Sequence, residues 1–234
     1  MSRRYQAVVL DLFGTVVHFR GRPDAAAEWL RAPLTTLRPG LEFEPFRRAL
    51  FEVSSSIAAA RAPEHHEVTS RQRFARALAL VGVADDATAE ALSLAHMAHL
   101  ADHTLLPAGH AELLGDLAAD HRLGLVSNFD HAPTACAVLA RHGIEHHFAV
   151  RVISADFGRR KPHPAIFATA LAQLGVAAPE ALYVGDTHAD DVVGALAAGM
   201  DVAWLAPPQA AERAPRATYR IDSLAQLHGL PRVA

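Results

Sequence analysis

The chain has 234 residues, a formal net charge of −3 at pH 7, 51% hydrophobic and 20% charged residues. That length suits one ordinary domain with an insert, or two small domains, and the apolar share allows a substantial core. The mild negative balance gives no basis for nucleic acid or an anionic membrane surface as a partner, and no stretch is long and uncharged enough to span a bilayer. The one cysteine, Cys136, has no internal disulfide partner, which fits a reducing compartment and a cytoplasmic location.

In chain order, the first apolar run is AVVLDL at 7–12. It is interrupted by Asp11 too early for a signal peptide, and it is continuous rather than alternating, as in a strand covered on both faces. Residues 20–104 contain no convincing strand. Phe46, Leu50, Val53 and Ile57 recur at helical spacing, Phe74, Leu78 and Val81 repeat it, and 87–100 are rich in alanine and leucine. This predicts an all-helical insert, broken once by RAPEHHE at 61–67, with LLPAG at 105–109 marking the return. Further strands are predicted at 122–127, 151–154, 181–186 and 201–206. Between them lie helical faces: Leu113, Leu114 and Leu117, then Ile166, Phe167, Ala170, Leu171 and Leu174, then DDVVGALAAG ending at Gly199. Past Pro207 a surface loop and a short helix, IDSLAQLHGL, are expected. Strand alternating with helix predicts an α/β fold, a doubly wound parallel-sheet (Rossmann-like) core formed by 1–19 and 105–234, with the α-helical insert at 20–104.

Ligands of open parallel sheets gather at the carboxyl ends of strands. There stand Asp11, Ser127 with Asn128, and Asp186 with Asp190 and Asp191; Lys161 follows the 151–154 strand. Lys161 is the only lysine among 22 basic residues, directly after two arginines. Singly, each has a structural reading: Asp11 as a turn former, Ser127 as a helix cap, Asp190 and Asp191 as charges at a helix N-terminus. The histidine pairs at 65–66 and 146–147 lack the spaced partners of a zinc site.

Taken together, DLFGT (11–15), VSN (126–128), KPHPAIF (161–167) and VGDTHADDVVGA (184–195) resemble the four motifs of the haloacid dehalogenase-like (HAD) hydrolase superfamily, of the helical-cap type. The resemblance covers nearly the whole chain and makes 20–104 the cap domain. It implies Asp11 as a nucleophile that forms an aspartyl-phosphate. It also implies Mg²⁺ held by Asp11, the Phe13 carbonyl, Asp186 and Asp191. Ser127 would bind a phosphoryl oxygen, and Gly14 and Thr15 would turn backbone N–H groups toward it. Asn128 would orient substrate or the loop, and Lys161 would lie between nucleophile and phosphate as a compact point charge that a planar arginine could not replace. A small-molecule substrate and a monomer or homodimer are expected.

One departure stands out. Phosphatases of the family carry a second aspartate where this chain has Phe13, which supplies no proton. A phosphatase that replaces or dispenses with the acid is expected, with His18, Asp130, His131 and His188 as nearby candidates. The alternatives are a 2-haloacid dehalogenase-like hydrolase using the same aspartate on carbon, and a non-catalytic binding module. The acidic set favours phosphoryl chemistry. Arg20 and Arg22 could meet an anionic substrate or be surface charges, and cap movement is expected around Gly21, Pro23, Pro107 and Gly109.

Overall fold

Two hydrophobic periods alternate along the chain, and the elements follow them. The computed structural model describes residues 5–21, 27–207, 209–211 and 214–229. Strand β1 (Ala7–Leu10) leads to a short β2 (His18–Phe19). Four helices follow: α1 (Arg31–Leu37), α2 (Phe43–Ala59), α3 (Ser70–Leu80) and α4 (Asp86–Asp102). Next come β3 (Thr104–Leu105), α5 (His110–Asp120), β4 (Arg122–Ser127), α6 (Ala132–Arg141), β5 (Val150–Ile153), α7 (Ser154–Phe157), α8 (Pro164–Leu174) and β6 (Ala181–Gly185). A π-helical turn, His188–Val192, runs into α9 (Val193–Ala197), and β7 (Asp201–Leu205) and β8 (Tyr219–Ile221) complete the strands.

Six strands form one sheet in the order β5-β4-β1-β6-β7-β8, and every neighbouring pair is parallel. The continuous apolar runs have their explanation here. Alternate residues of a strand point to opposite faces, and both faces are covered. Val8 and Leu10 join Leu114 of α5 and Leu139 of α6 in one core, while Ala7 and Val9 join Phe167 of α8 and Ala195 of α9 in another. Helix ends follow local chemistry. Pro164 opens α8, and Gly175, at φ 66°, closes it in the left-handed region that a Cβ disfavours.

The helices between β2 and β3 bury a third core of their own, with Phe46, Phe74, Leu78 and Leu92 fully inside. Thr69 and Gln72 cap α3 reciprocally, and Asp85 caps α4. Both chain passages between this unit and the sheet run side by side, because β2 and β3 pair antiparallel.

Several expectations need correction. The helical block is interrupted after α1 and after α3 as well as at 61–67, and Val81 falls beyond α3, so its spacing continued a pattern the backbone had left. The segment 190–199 begins as a π-turn rather than an α-helix. The tail supplies a sixth strand, β8, where only loop was expected, and the short helix expected after it is a 3-10 helix (Leu224–Gly229). Three strand residues give too little pattern to read, and pairing with β7 creates the strand. Arg22 and Pro23 lie outside the described residues. No helix among those described is long and apolar enough to cross a membrane.

Candidate active site

The carboxyl end of β1 sits between β4 and β6, so the residues following these three strands are neighbours by topology. Asp11, Ser127 and Asp186 therefore converge although more than a hundred residues separate the first from the second. Lys161, from the loop before α8, reaches the same point. Its Nζ donates to Asp11 Oδ1 at 2.6 Å, to Asp191 Oδ1 at 2.7 Å and to the Tyr183 hydroxyl at 2.9 Å. Three acceptors meet the three N–H donors of an ammonium, which is a shape that a guanidinium does not offer. Lys161 is 2% exposed and Asp191 1%, so this pair is shielded from solvent.

Asp191 is held twice more. The Thr187 N–H donates to its Oδ2 at 2.8 Å and the Tyr183 hydroxyl to Oδ1 at 2.9 Å. Asp186 accepts from Thr15 Oγ1 at 3.4 Å, and its carbonyl accepts from the Trp204 indole at 2.9 Å. One oxygen each of Asp11, Asp186 and Asp191 lies within 4.8 Å of the others. It is the sole group of metal-ligating side chains of this kind among the described residues, and the histidine pairs form none.

The electrostatics follow from three carboxylates sharing one ammonium. Burial and the neighbouring Asp191 push the Asp11 carboxyl up from 3.8 to about 7, against the opposing pull of Lys161. Asp186 is raised by burial and by Asp191. Burial alone would lower Lys161, but Asp11 and Asp191 outweigh it, so its proton is held more tightly than usual. The pair is charged on the lysine side, and the acidic side remains in excess. An oxygen-only, anionic, buried donor set of this kind fits a hard divalent cation.

Two further observations mark a binding place. Ser127 Oγ is buried with no hydrogen-bond partner, and the residue does not cap α6, whose N-cap is His131. A buried hydroxyl without a partner is costly unless a ligand supplies one. Asp11, Phe13, Ser127, Asn128, Lys161 and Asp191 also line one cavity of about 180 Å³. Drug-sized sites begin at about 300 Å³, so a small occupant fits.

Gly14 and Thr15 have different tasks from those expected, and Asn128 takes one of the two expected of it. Gly14 donates its N–H to the Val17 carbonyl at 2.8 Å, so this donor closes the loop on itself. Its value is space: at φ 97°, a Cβ here would lie 2.6 Å from Asp186 Oδ2. Gly14→Ala is therefore expected to destabilise the fold by about 1–3 kcal/mol and to displace Asp186. A urea midpoint equal to the parent's would remove this reading. Thr15 contributes its hydroxyl to Asp186. Asn128 orients the loop: its Oδ1 accepts from the Lys161 N–H at 2.7 Å, and its Nδ2 donates to the Lys161 carbonyl and to Asp190, both at 3.1 Å.

Phe13 packs against Phe19 and Phe129, with ring centroids 5.1 and 4.5 Å away. None of the four candidate acids lines this cavity. His131 bonds Thr134, His188 bonds the Pro215 carbonyl, His18 stands edge-on to His110, and Asp130 pairs with Arg73 at 3.0 Å. Arg20 is exposed. Sequence reasoning missed Tyr183, which looked like one more apolar strand residue, and Arg160, which lines the cavity. The position of Arg160 next to the lone lysine was the available signal.

Fold and site define a class: a doubly wound α/β enzyme with a carboxylate–lysine centre at the strand ends and a helical unit inserted after β1. The chain belongs to the haloacid dehalogenase-like hydrolase family, whose pattern matches residues 5–199. A phosphoglycolate phosphatase of Rhodospirillum rubrum is 34% identical over 203 residues, which cover 84% of this chain and 78% of that one. A phosphoserine phosphatase of Thermus thermophilus is 44% identical over 63 residues, 27% of this chain and only 25% of the relative. The crystal structure of a 2-haloacid dehalogenase from Pseudomonas syringae pv. Tomato matches with a TM-score of 0.76 and 25% identity, over 96% of this chain and 97% of that one.

Proposed function

We propose that the protein is a Mg²⁺-dependent phosphatase acting on a small phosphorylated metabolite through an aspartyl-phosphate. The observation that carries this is the cluster of Asp11, Asp186 and Asp191, two of them buried and bonded to one ammonium and the third, half-buried, within 4.8 Å of both. Attack at carbon on a haloacid needs no such excess of carboxylate. The phosphatase names of the sequence relatives point the same way.

Lys161 occupies Asp11 Oδ1, and no described hydrogen bond engages Oδ2, which is the oxygen available to attack phosphorus. The P–O bond to the leaving group breaks as the Asp11–phosphorus bond forms, and water then releases phosphate and restores the carboxylate. Ser127 Oγ would donate to a phosphoryl oxygen, and Lys161 would offset charge between the two anions. Asp11, Asp186, Asp191 and the Phe13 carbonyl would hold Mg²⁺, which when bound neutralises charge on the transferring group. With Phe13 in place of an acid, leaving groups that need little protonation are favoured, since a positioned acid contributes about 10²–10⁴-fold. We further propose that 20–104 acts as a cap that excludes water and moves at the β2–β3 ladder, beside Gly21 and Gly109.

The dehalogenase reading retains two observations in its favour, the aromatic Phe13 and the likeness to a 2-haloacid dehalogenase structure. An aryl phosphate and 2-chloropropionate, each assayed with and without EDTA, decide between them. Hydrolysis of the phosphate abolished by EDTA is expected; chloride release indifferent to EDTA would transfer the assignment.

The metal also has a thermal signature. The raised Asp11 pKa means the folded state binds this proton more tightly than the unfolded one, so its contribution is full below 3.8 and is lost as pH rises through about 7. Mg²⁺ competes with that proton. It is expected to raise Tm by more at about pH 8 than at about pH 5, and a pH-independent shift would count against this site.

A further inference from the structure

The loop RAPEHHE at 61–67, which interrupts the helical insert, is docked on the core. Arg160 N–H donates to the His65 carbonyl at 2.9 Å, and Glu67 N–H to that of Gly158 at 3.0 Å. The Glu67 carboxylate accepts from Ser154 Oγ at 2.5 Å and from Arg160 at 3.1 Å. The docked loop borders a second cavity of about 150 Å³, lined by Arg61, Arg73, Arg160, Glu67 and Asp130 among others. Asn128 and Arg160 line it and the catalytic cavity alike, so the two adjoin.

The charges in this second cavity do not balance. Arg160 is paired with Glu67, and Arg73 with Asp130. Both carboxylates are thereby taken, and the Arg61 guanidinium has no ion pair or hydrogen bond among the described residues. Nε of Arg61 and Nε of Arg73 are both buried without a partner. Burial and the nearby Arg160 press against the Arg61 charge; Glu67, Asp190 and Asp130 offset this only in part, since none bonds the guanidinium, so an incoming anion would relieve a remaining cost.

We propose that Arg61, supported by Arg73 and Arg160, forms a subsite for a carboxylate on the substrate, whose phosphoryl group occupies the neighbouring cavity. One surplus positive charge matches one monoanion, and a planar guanidinium matches a planar carboxylate. The substrate class is then a small phosphomonoester of a hydroxycarboxylic acid. This deepens the phosphatase reading and rests on it for the second anchor.

The test measures binding separately from turnover. Asp11→Asn protein with Mg²⁺ is titrated calorimetrically with matched ester pairs: phosphoglycolate against ethyl phosphate, and 3-phosphoglycerate against glycerol 3-phosphate. In at least one pair the carboxylated ester is expected to bind about 10–100-fold tighter. Adding Arg61→Gln collapses that ratio toward one, and Arg61→Lys retains part of it. No preference in either pair, or a preference that survives Arg61→Gln, overturns the subsite. If the ratio behaves as expected while the protein with Asp11 intact hydrolyses no ester, the subsite stands and the phosphatase reading falls.

Discussion

Asp11→Asn is expected to reduce kcat for phosphomonoester hydrolysis by about 10³-fold or more, because an amide oxygen cannot form the covalent intermediate. The substitution is close to isosteric and removes one negative charge from a site with a surplus of them. Loss of folding is therefore not the expected cause. The Asp11 carboxyl, held up at about 7 by burial and Asp191, is itself unfavourable to the metal-free fold as pH rises. The decisive measurement is acid-quenched intact mass after mixing with substrate. The parent should carry a phosphoryl adduct and the variant none. A variant that keeps the parental rate, or still acquires the adduct, removes the covalent mechanism.

Lys161→Met is expected to affect both stability and rate. It leaves Asp11 and Asp191, which lie 2.6 and 2.7 Å from Nζ in the parent, facing each other without a cation. Breaking a buried ion pair by removing one partner costs about 3–5 kcal/mol. Removal of a donor poised at the developing charge costs about 10²–10³-fold in kcat. Mg²⁺ should recover part of the stability and little of the rate, since it can neutralise the carboxylates without standing where Nζ stands. Lys161→Arg keeps the charge but not the tripod of donors to Asp11, Asp191 and Tyr183, and is expected to recover stability better than activity. Denaturation midpoints and kcat for both variants check this; a Met variant as stable and active as the parent would end the role given to Lys161.

Asp11, Ser127 and Asp186 were legible because each stands at or just beyond the end of a strand, and a parallel sheet brings strand ends to one rim; Lys161 and Asp191 stand further on and were legible through their motifs. Asp11, Ser127, Lys161, Asp186 and Asp191 all line or border the same site. Roles were harder to read than places. Gly14 serves by leaving room for Asp186, a function that does not show in its residue type, whereas Asn128 ties down the lysine loop, one of the two roles expected of it. Tyr183 gave no signal, since a buried tyrosine in a strand has the same apolar body whether or not its hydroxyl has work to do.

The sequence by itself determined the doubly wound core and the helical insert, because hydrophobic period is a local property, and its four motifs named the residues of the candidate site through their resemblance to the family. Only the tertiary structure decided that the 61–67 loop lands on Arg160 and that the buried Nε of Arg61 is left without a partner. It also made a strand of 219–221. These depend on contacts between segments far apart in the chain, and no local pattern of residues records which distant surface will satisfy, or fail to satisfy, a given charge.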